Sequence, residues 1–593
     1  MNIEERISAL RAQMQKADVQ AVLLPTAVPH LSEYIPEHWE SRRWFSGFTG
    51  DAGTLVVTPE EALLWTDGRF FIQADKELKG TSIVLMRWRQ PGVPEIHEWL
   101  AEHCKGGRVA VDGRLYSESQ AEKVEEALTP VGTTLLDMDL VEPVWTEDRP
   151  ALPQSKVWFL EEKYSGMSCE AKLAALREDL DKAGADAQLY TRLDGVAWAT
   201  NLRADDIAYN PFAISYLLLT KTGARLYLDP ERLEPAAAEA MQRAHVEVVP
   251  YAQIKADLAG DFGAKRVLVS KADISMDLYR ILAANSAVEL VPGKELVTER
   301  KAEKNPTECE NMRICHVYDG VAMVKGQMEW ERRLAAGETL TEWDICEILE
   351  KYRRQQPENC GLSFGTIAAY GPNAAMMHYG PTKDKCATLE PKSFLLIDSG
   401  GQYRTGTTDI TRTYAMGSLT QEEKECYTWS LQAHIDLASA RFPLGTNGLK
   451  LDVLSRERLW KHGLDYRCGT GHGVGFMGAV HEGPQSFGGP AVIKPGMSIT
   501  DEPGVYVENG FGIRIENTME VLADGETEYG KFLKFAPLTL CPIDKTPILP
   551  ELLTFEQRKW LDDYHATVYQ ALSPYLNQDE CAWLQKACAP LED

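Results

Sequence analysis

Residues 9–24, ALRAQMQKADVQAVLL, place apolar side chains first at helical spacing and then in an unbroken run, which predicts a helix followed by a buried strand. Residues 175–190, ALREDLDKAGADAQLY, repeat that pattern. Further on, LVVTPEEALLWTDGRF (55–70) and LLLTKTGARLYLDPER (217–232) each read as strand, turn, strand and acidic corner. Two copies of one α/β domain account for both pairs.

The stretch EPVWTEDRPALPQSKVW (142–158) has three prolines and few periodic apolar residues, so a linker is expected near residue 155. In ERKAEKNPTECENMR (299–313), a charged segment ends at Asn305-Pro306, a start signal for a new helix. From there to about residue 550 amphipathic helices alternate with Gly-rich strands, an α+β pattern. Thr554 and Gln557 form a capping box ahead of RKWLDDYHATVYQAL, predicting a terminal helix whose apolar stripe is packing surface. The expected division is 1–155, 156–304 (a repeat of the first), 305–550 and 551–593.

Composition narrows the function classes. At 593 residues, with 44% hydrophobic and 25% charged residues, the chain reads as a soluble globular protein of several domains. Its net charge of −26 argues against nucleic acid or an anionic membrane surface as the main partner. The start, MNIEERISALRAQMQ, lacks an apolar core of the kind a secretory signal carries, and no apolar run approaches the ~18 residues of a membrane span. Twelve scattered cysteines without a C-x-x-C pair, in a chain with a large core, point to a reducing cytoplasm.

The candidate chemistry lies in the last third of the chain. SFLLIDSGGQYRTGTTDITRTYA (393–415) runs an apolar strand into Asp398, turns through glycines, and returns with Asp409, Thr411 and Thr413 on one face. ITDEPGVYVENGFGIRIENTMEV (499–521) reads as a second hairpin turning at ENGFG. There Ile513 and Ile515 face one way, Arg514 and Glu516 the other, and Glu502 is in phase with Tyr506 if the strand is regular. A strand that buries isoleucines exposes its alternate residues to water unless the sheet is covered on both sides, so either hairpin alone reads equally well as solvated acids. Together with His472 in DYRCGTGHGVG (465–475), Asp398, Asp409, Glu502 and Glu516 form an ordered set. Four carboxylates in one site repel and lose their charges unless cations compensate them, and two divalent metals would do so. Four oxygen donors and one imidazole favour Mn²⁺, Co²⁺ or Fe²⁺ over a structural zinc. Metals sharing bridging carboxylates lower the pKa of a common water, so the implied chemistry is hydrolysis.

With RRWFSGFTGDAGTLVVT, LLWTDGRFFIQA, GLSFGTIAAYGPNAAMMHY (361–379), VHEGP (480–484) and WLDDYH (560–565), this set resembles the pita-bread metallopeptidases, and within them the three-domain aminopeptidases P, over nearly the whole chain. The resemblance implies a multidomain α/β and α+β protein, with two creatinase-like α/β domains ahead of a pita-bread catalytic domain, working as a homodimer. It implies hydrolysis of the N-terminal Xaa-Pro bond of peptides by a hydroxide bridging two divalent metals per subunit, Mn²⁺ first among them. Carried onto this sequence, Asp398 belongs to one metal, His472 and Glu502 to the other, and Asp409 and Glu516 bridge both. Glu502 is the expected general base. His378 and His481 contact substrate and the developing transition state, Tyr506 and Arg514 brace Asp398, and Phe364, His378, His481 and Cys468 wall the substrate pocket. Where many aminopeptidases P read His-Gly-Thr-Gly-His, this chain reads Cys468-Gly-Thr-Gly-His472, which changes one substrate contact and leaves the ligands in place.

Two other functions compete: an Xaa-Pro dipeptidase (prolidase), distinguished by failure to cleave tripeptides, and a non-catalytic binding protein of the same fold, whose relatives have replaced the carboxylates. His316, His434 and His565, on amphipathic helices, are expected to be packing residues.

Overall fold

In the computed structural model, residues 1–592 are described and form two compact units, Met1–Glu161 with Met167–Val297, and Glu162–Gly166 with the chain from Thr298 onward. The first unit holds two six-stranded sheets. One is built, in chain order, from Ala21–Pro25, Thr54–Val57, Ala62–Thr66, Val84–Arg87, Arg108–Val111 and Thr134–Asp137. The other is built from Ala187–Tyr190, Tyr216–Thr220, Ala224–Tyr227, Val246–Val249, Arg266–Val269 and Glu289–Pro292. In both, the spatial order is 4-3-2-1-5-6, with the second strand antiparallel to the first and third and every other neighbouring pair parallel. The repeat in the sequence is therefore a repeat of topology as well.

Each sheet is covered on both faces, which is why its central strand is buried throughout and not alternating, apolar in the first sheet and apolar but for Gln188 in the second. Strand Ala21–Pro25 is buried at every position. Val22 and Leu24 pack with Ile7, Leu10 and Met14 of helix Ile3–Ala17. Ala21 and Leu23 pack with Trp99 and Val124 from two helices on the other side. Burying each such side chain contributes about 2 kcal/mol before chain entropy is counted.

The second unit opens on helix Pro306–Ala335, whose cap is reciprocal: Asn305 accepts from the Glu308 amide while Glu308 accepts from the Asn305 amide. It ends on helix Phe555–Leu572, capped by Thr554 and Gln557 as expected, and on helix Gln578–Ala587. Leu561, Tyr564, Val568 and Leu572 of the terminal helix share a core with Ile513 and Ile515. Between these helices lie a three-stranded sheet (Ile367–Tyr370, Phe394–Ser399, Ile410–Ala415), a six-stranded sheet containing His472–Gly473, Ser498–Asp501 and Asn517–Thr527, and a two-stranded ribbon, Gly504–Val507 with Phe511–Arg514. Among the described residues no helix is long and apolar enough to cross a membrane.

The two hairpins read from the sequence are both modified. Phe394–Ser399 and Ile410–Ala415 do pair, with Asp398 opposite Thr411, but the connection between them is a further small sheet with Asn359–Leu362, not a tight turn. The 499–521 arms are not regular strands. Each leaves the six-stranded sheet and continues in the ribbon, one between Asp501 and Gly504 and the other between Arg514 and Asn517. Glu502 and Glu516 occupy those two breaks, so the phase argument for Glu502 and Tyr506 does not apply.

Candidate active site

Strand pairing brings the acids together. Asp398 sits near the end of its strand, Asp409 just before the strand that pairs with it, and Glu516 is tied across by its amide, which donates to the Thr411 carbonyl at 3.1 Å. Thr411 Oγ1 donates to Glu516 Oε2 at 2.7 Å and accepts from Arg514 Nε at 3.0 Å, so one hydroxyl aligns a carboxylate and a guanidinium. Arg514 also donates to Asp398 Oδ2 and, at 2.7 Å, to the Tyr506 hydroxyl, as expected of residues that brace Asp398. The other oxygen of Asp398 is buried without a hydrogen-bond partner.

His472 enters from the third direction. Its Nδ1 faces the Gly473 carbonyl at 3.0 Å; a carbonyl only accepts, so Nδ1 carries the proton and Nε2 presents its lone pair. Nε2 lies 3.4 Å from Asp409 Oδ2 and 3.4 Å from Glu502 Oε1. One donor atom from each of Asp409, His472 and Glu516 falls within 4.8 Å of the others. Glu502 is fixed by its amide on the Thr470 carbonyl (2.8 Å) and by Thr500 Oγ1 (3.3 Å).

The electrostatics test whether cations fit. Burial pushes Asp409 and Glu516 well above the usual carboxylate range, and the neighbouring carboxylates push them further. Burial first, and the Asp398 charge after it, raise Glu502 to about 7 even though Arg514 opposes the shift. Without added cations the cluster holds protons near neutral pH, and the Asp398 oxygen stays unsatisfied. Divalent cations would replace those protons and satisfy that oxygen, so the residues fit a dinuclear metal site.

The remaining expected site residues are arranged around this cluster. The His481 ring meets the His472 ring edge-on at 4.1 Å. Phe364 is buried, three residues ahead of Ile367, which pairs with Asp398. His378, partly buried, follows the turn Gly371–Ala375. That turn packs so tightly on the ribbon that a Cβ on Gly512 would lie 1.9 Å from the Ala374 carbonyl oxygen. The Cys468 thiol is raised to about 11, by burial first and then by Glu502, so at neutral pH it is a protonated, weakly polar wall.

Some positioning residues were not visible in the sequence. Arg412, on the opposite face of its strand from Thr411 and fully buried, donates to the carbonyls of Thr411 and Glu516 at 2.9 and 2.6 Å and to the Tyr564 hydroxyl at 2.7 Å. It links the terminal helix to the carboxylate cluster; the strand is covered on both sides, and only tertiary packing shows that. Arg456 donates to Asp452, to Asp465 and to the carbonyls of Tyr466 and Cys468, each at 2.8–2.9 Å, gripping the loop before His472. The Asp452/Arg456 spacing on a helix directly before a Gly-rich loop was its available signal. The three histidines expected to be packing residues are buried: His316 Nδ1 meets the Met312 carbonyl, His434 Nε2 meets the Asn517 amide, and His565 Nε2 accepts from the Ile543 amide.

Across the whole chain, a probable Xaa-Pro aminopeptidase P of Laccaria bicolor is 38% identical, covering 100% of this chain and 94% of its own length. The chain belongs to the Xaa-Pro aminopeptidase P family. A second family member, from Aspergillus flavus, is 39% identical with 100% and 93% coverage. The description "Metallopeptidase family M24" matches residues 310–523, and "C-terminal region of peptidase_M24" matches 531–591. "Creatinase/Prolidase N-terminal domain" matches twice, over 6–142 and 148–308, one for each six-stranded sheet. The crystal structure of an X-prolyl aminopeptidase from Caenorhabditis elegans, described as a cytosolic enzyme with a di-nuclear active site, superposes with a TM-score of 0.95 at 33% identity and covers 100% of both chains. The Xaa-Pro aminopeptidase P resemblance, and the order of two creatinase-like domains before a pita-bread domain, hold as expected.

Proposed function

We propose that this chain is a metal-dependent aminopeptidase that hydrolyses the bond between the first residue and a following proline, using the carboxylate and histidine cluster just described. The observation that carries the reading is the convergence of Asp409, His472 and Glu516 donor atoms within 4.8 Å beside Asp398 and Glu502. Asp398 would hold one cation, His472 and Glu502 the other, with Asp409 and Glu516 between them. Two divalent cations there supply Lewis-acid polarisation of the scissile carbonyl and a nucleophile at neutral pH. Mn²⁺ is our first choice, on the oxygen-rich donor set.

The chain's own residues do the rest. Glu502, held between His472 and Thr500, takes the proton of the attacking water. His378 and His481 hydrogen-bond the carbonyl oxygen as it gains charge, or assist at the proline nitrogen. Arg514 and Tyr506 hold Asp398 in place. Phe364 and Cys468 form pocket walls.

The test is hydrolysis of Xaa-Pro-Yaa and Xaa-Ala-Yaa tripeptides after EDTA treatment and restoration with Mn²⁺ or Co²⁺. Activity confined to the proline peptides and dependent on added metal is expected; activity that survives chelation sinks the reading, and cleavage of dipeptides alone replaces it with a prolidase.

We place the protein in the cytoplasm, supported by twelve cysteines that form no disulfide among the described residues. We also propose a homodimer. On helix Gly448–Trp460, Leu449, Val453 and Trp460 are 52%, 42% and 49% exposed along one face, an apolar stripe suited to a second copy. Leu449→Asp with Val453→Asp should give a single-chain mass by sedimentation; an unchanged dimer excludes this face.

A further inference from the structure

The charged segment ahead of helix Pro306–Ala335 sends two lysines inward. Lys301 and Lys304 are each 6% exposed, and both converge on Glu482, the buried residue that follows His481. Lys301 Nζ lies 3.1 Å from Glu482 Oε2, and Lys304 Nζ lies 3.6 Å from Oε1. Each lysine also reaches a backbone carbonyl: Lys304 donates to Val474 at 2.7 Å and Lys301 to Gly483 at 3.5 Å. The Gly483 carbonyl lies in one of two paired strands and the Val474 carbonyl directly follows the other, because Glu482 sits opposite Gly473. The pairing is close enough that a Cβ on Gly473 would lie 2.2 Å from the Glu482 carbonyl oxygen. At the head of these strands the His472 and His481 rings meet at 4.1 Å, nearly perpendicular.

Burying two ammonium groups with one carboxylate is a poor way to stabilise a fold, since desolvation offsets the attraction and apolar side chains of similar volume do as well. What the trio supplies is directional hold on two backbone segments, one just after His472 and one just after His481. We infer that Lys301 and Lys304, acting through Glu482, are positioning residues that set the His481 ring for the reaction. This rests on the proposed role of His481 in contacting the reacting carbonyl or the proline nitrogen.

The experiment is a double-mutant cycle in the full chain with metal restored, using Lys304→Met, Glu482→Gln, His481→Ala and the pair Lys304→Met/His481→Ala. The readouts are kcat and KM on an Xaa-Pro-Yaa peptide, metal content and thermal unfolding. Folded Lys304→Met is expected to lose about tenfold in kcat, with KM within about twofold and metal content at the wild-type level. It should add nothing to the loss caused by His481→Ala. Glu482→Gln, which keeps the side-chain shape, should show the same pattern, and it carries the test alone if Lys304→Met does not fold. Wild-type kcat in the folded lysine and glutamate variants, or losses that simply add in the pair, overturns the positioning role. Full activity of His481→Ala overturns the role of His481 itself, a distinct result.

Discussion

The two six-stranded sheets of the N-terminal unit and the crossing strands of the C-terminal unit use strands for opposite purposes. In the sheets, strands are regular and covered on both faces, and buried polar groups such as Gln188 serve the backbone: its side chain donates to the Lys294 carbonyl and accepts from the Leu296 amide. In the C-terminal unit, Asp398 apart, the candidate ligands stand where regularity fails. Glu502 and Glu516 occupy breaks between sheets, Asp409 precedes its strand, and His472 lies on a strand of two residues. A regular strand sends successive side chains to opposite faces, so it cannot gather donors from several directions; a break can.

Five substitutions and one pH titration test this contrast. Asp409→Ala or Glu516→Ala should reduce peptidase activity to background and lower metal content together, by peptide assay and elemental analysis; full metal content in either variant removes that residue from the ligand set. In the N-terminal unit the effect should be on stability alone. Leu217→Ala, in a fully buried position, should cost about 3 kcal/mol in urea unfolding while leaving the metal content of the folded protein unchanged. Releasing the loop before His472 by Arg456→Ala should raise KM and weaken metal binding by about tenfold, read from kinetics and metal titration.

The pH test isolates the carboxylate cluster by what metal does to a slope. Glu502 rises to about 7, and Asp409 and Glu516 are also raised well above the usual carboxylate range, so the metal-free folded chain binds more protons than the unfolded chain between about pH 4.5 and 7. These groups therefore make the metal-free protein less stable as pH rises through that window. Its Tm should fall on the order of 5 °C, and Mn²⁺, by displacing the cluster's protons, should reduce the fall, while Glu118 and Glu295, raised by burial to about 7 and about 8, keep their own share with or without metal. An equal slope with and without metal locates the protons elsewhere. The smallest effect belongs to Cys468→Ser, which should keep activity within about twofold, because a protonated thiol and a hydroxyl both serve as a wall; an inactive, folded serine variant assigns the thiol a chemical role.

Much of the fold could be read in advance because it depends on local pattern. The helix-then-strand repeat at 9–24 and 175–190, the Asn305-Pro306 start and the Thr554/Gln557 cap are short-range signals, and each became the predicted element. The five candidate ligands were legible as acids and one imidazole beside glycines; the structure brings donor atoms of Asp409, His472 and Glu516 within 4.8 Å, with Glu502 beside His472, by strand breaks the pattern did not show. Arg412, Arg456, Lys301 and Lys304 were not legible, since each is defined by partners far along the chain.

The sequence by itself determined the repeated domain, the helix ends and the candidate ligand residues, because periodicity, capping and side-chain chemistry act within a few residues. Only the tertiary structure decided that Thr411 aligns Glu516 with Arg514, that His472 offers Nε2, and that two lysines of a charged boundary segment lie buried on Glu482. Those facts depend on which strands meet and where they break, and burial gives a hydroxyl, a tautomer or an ion pair its weight.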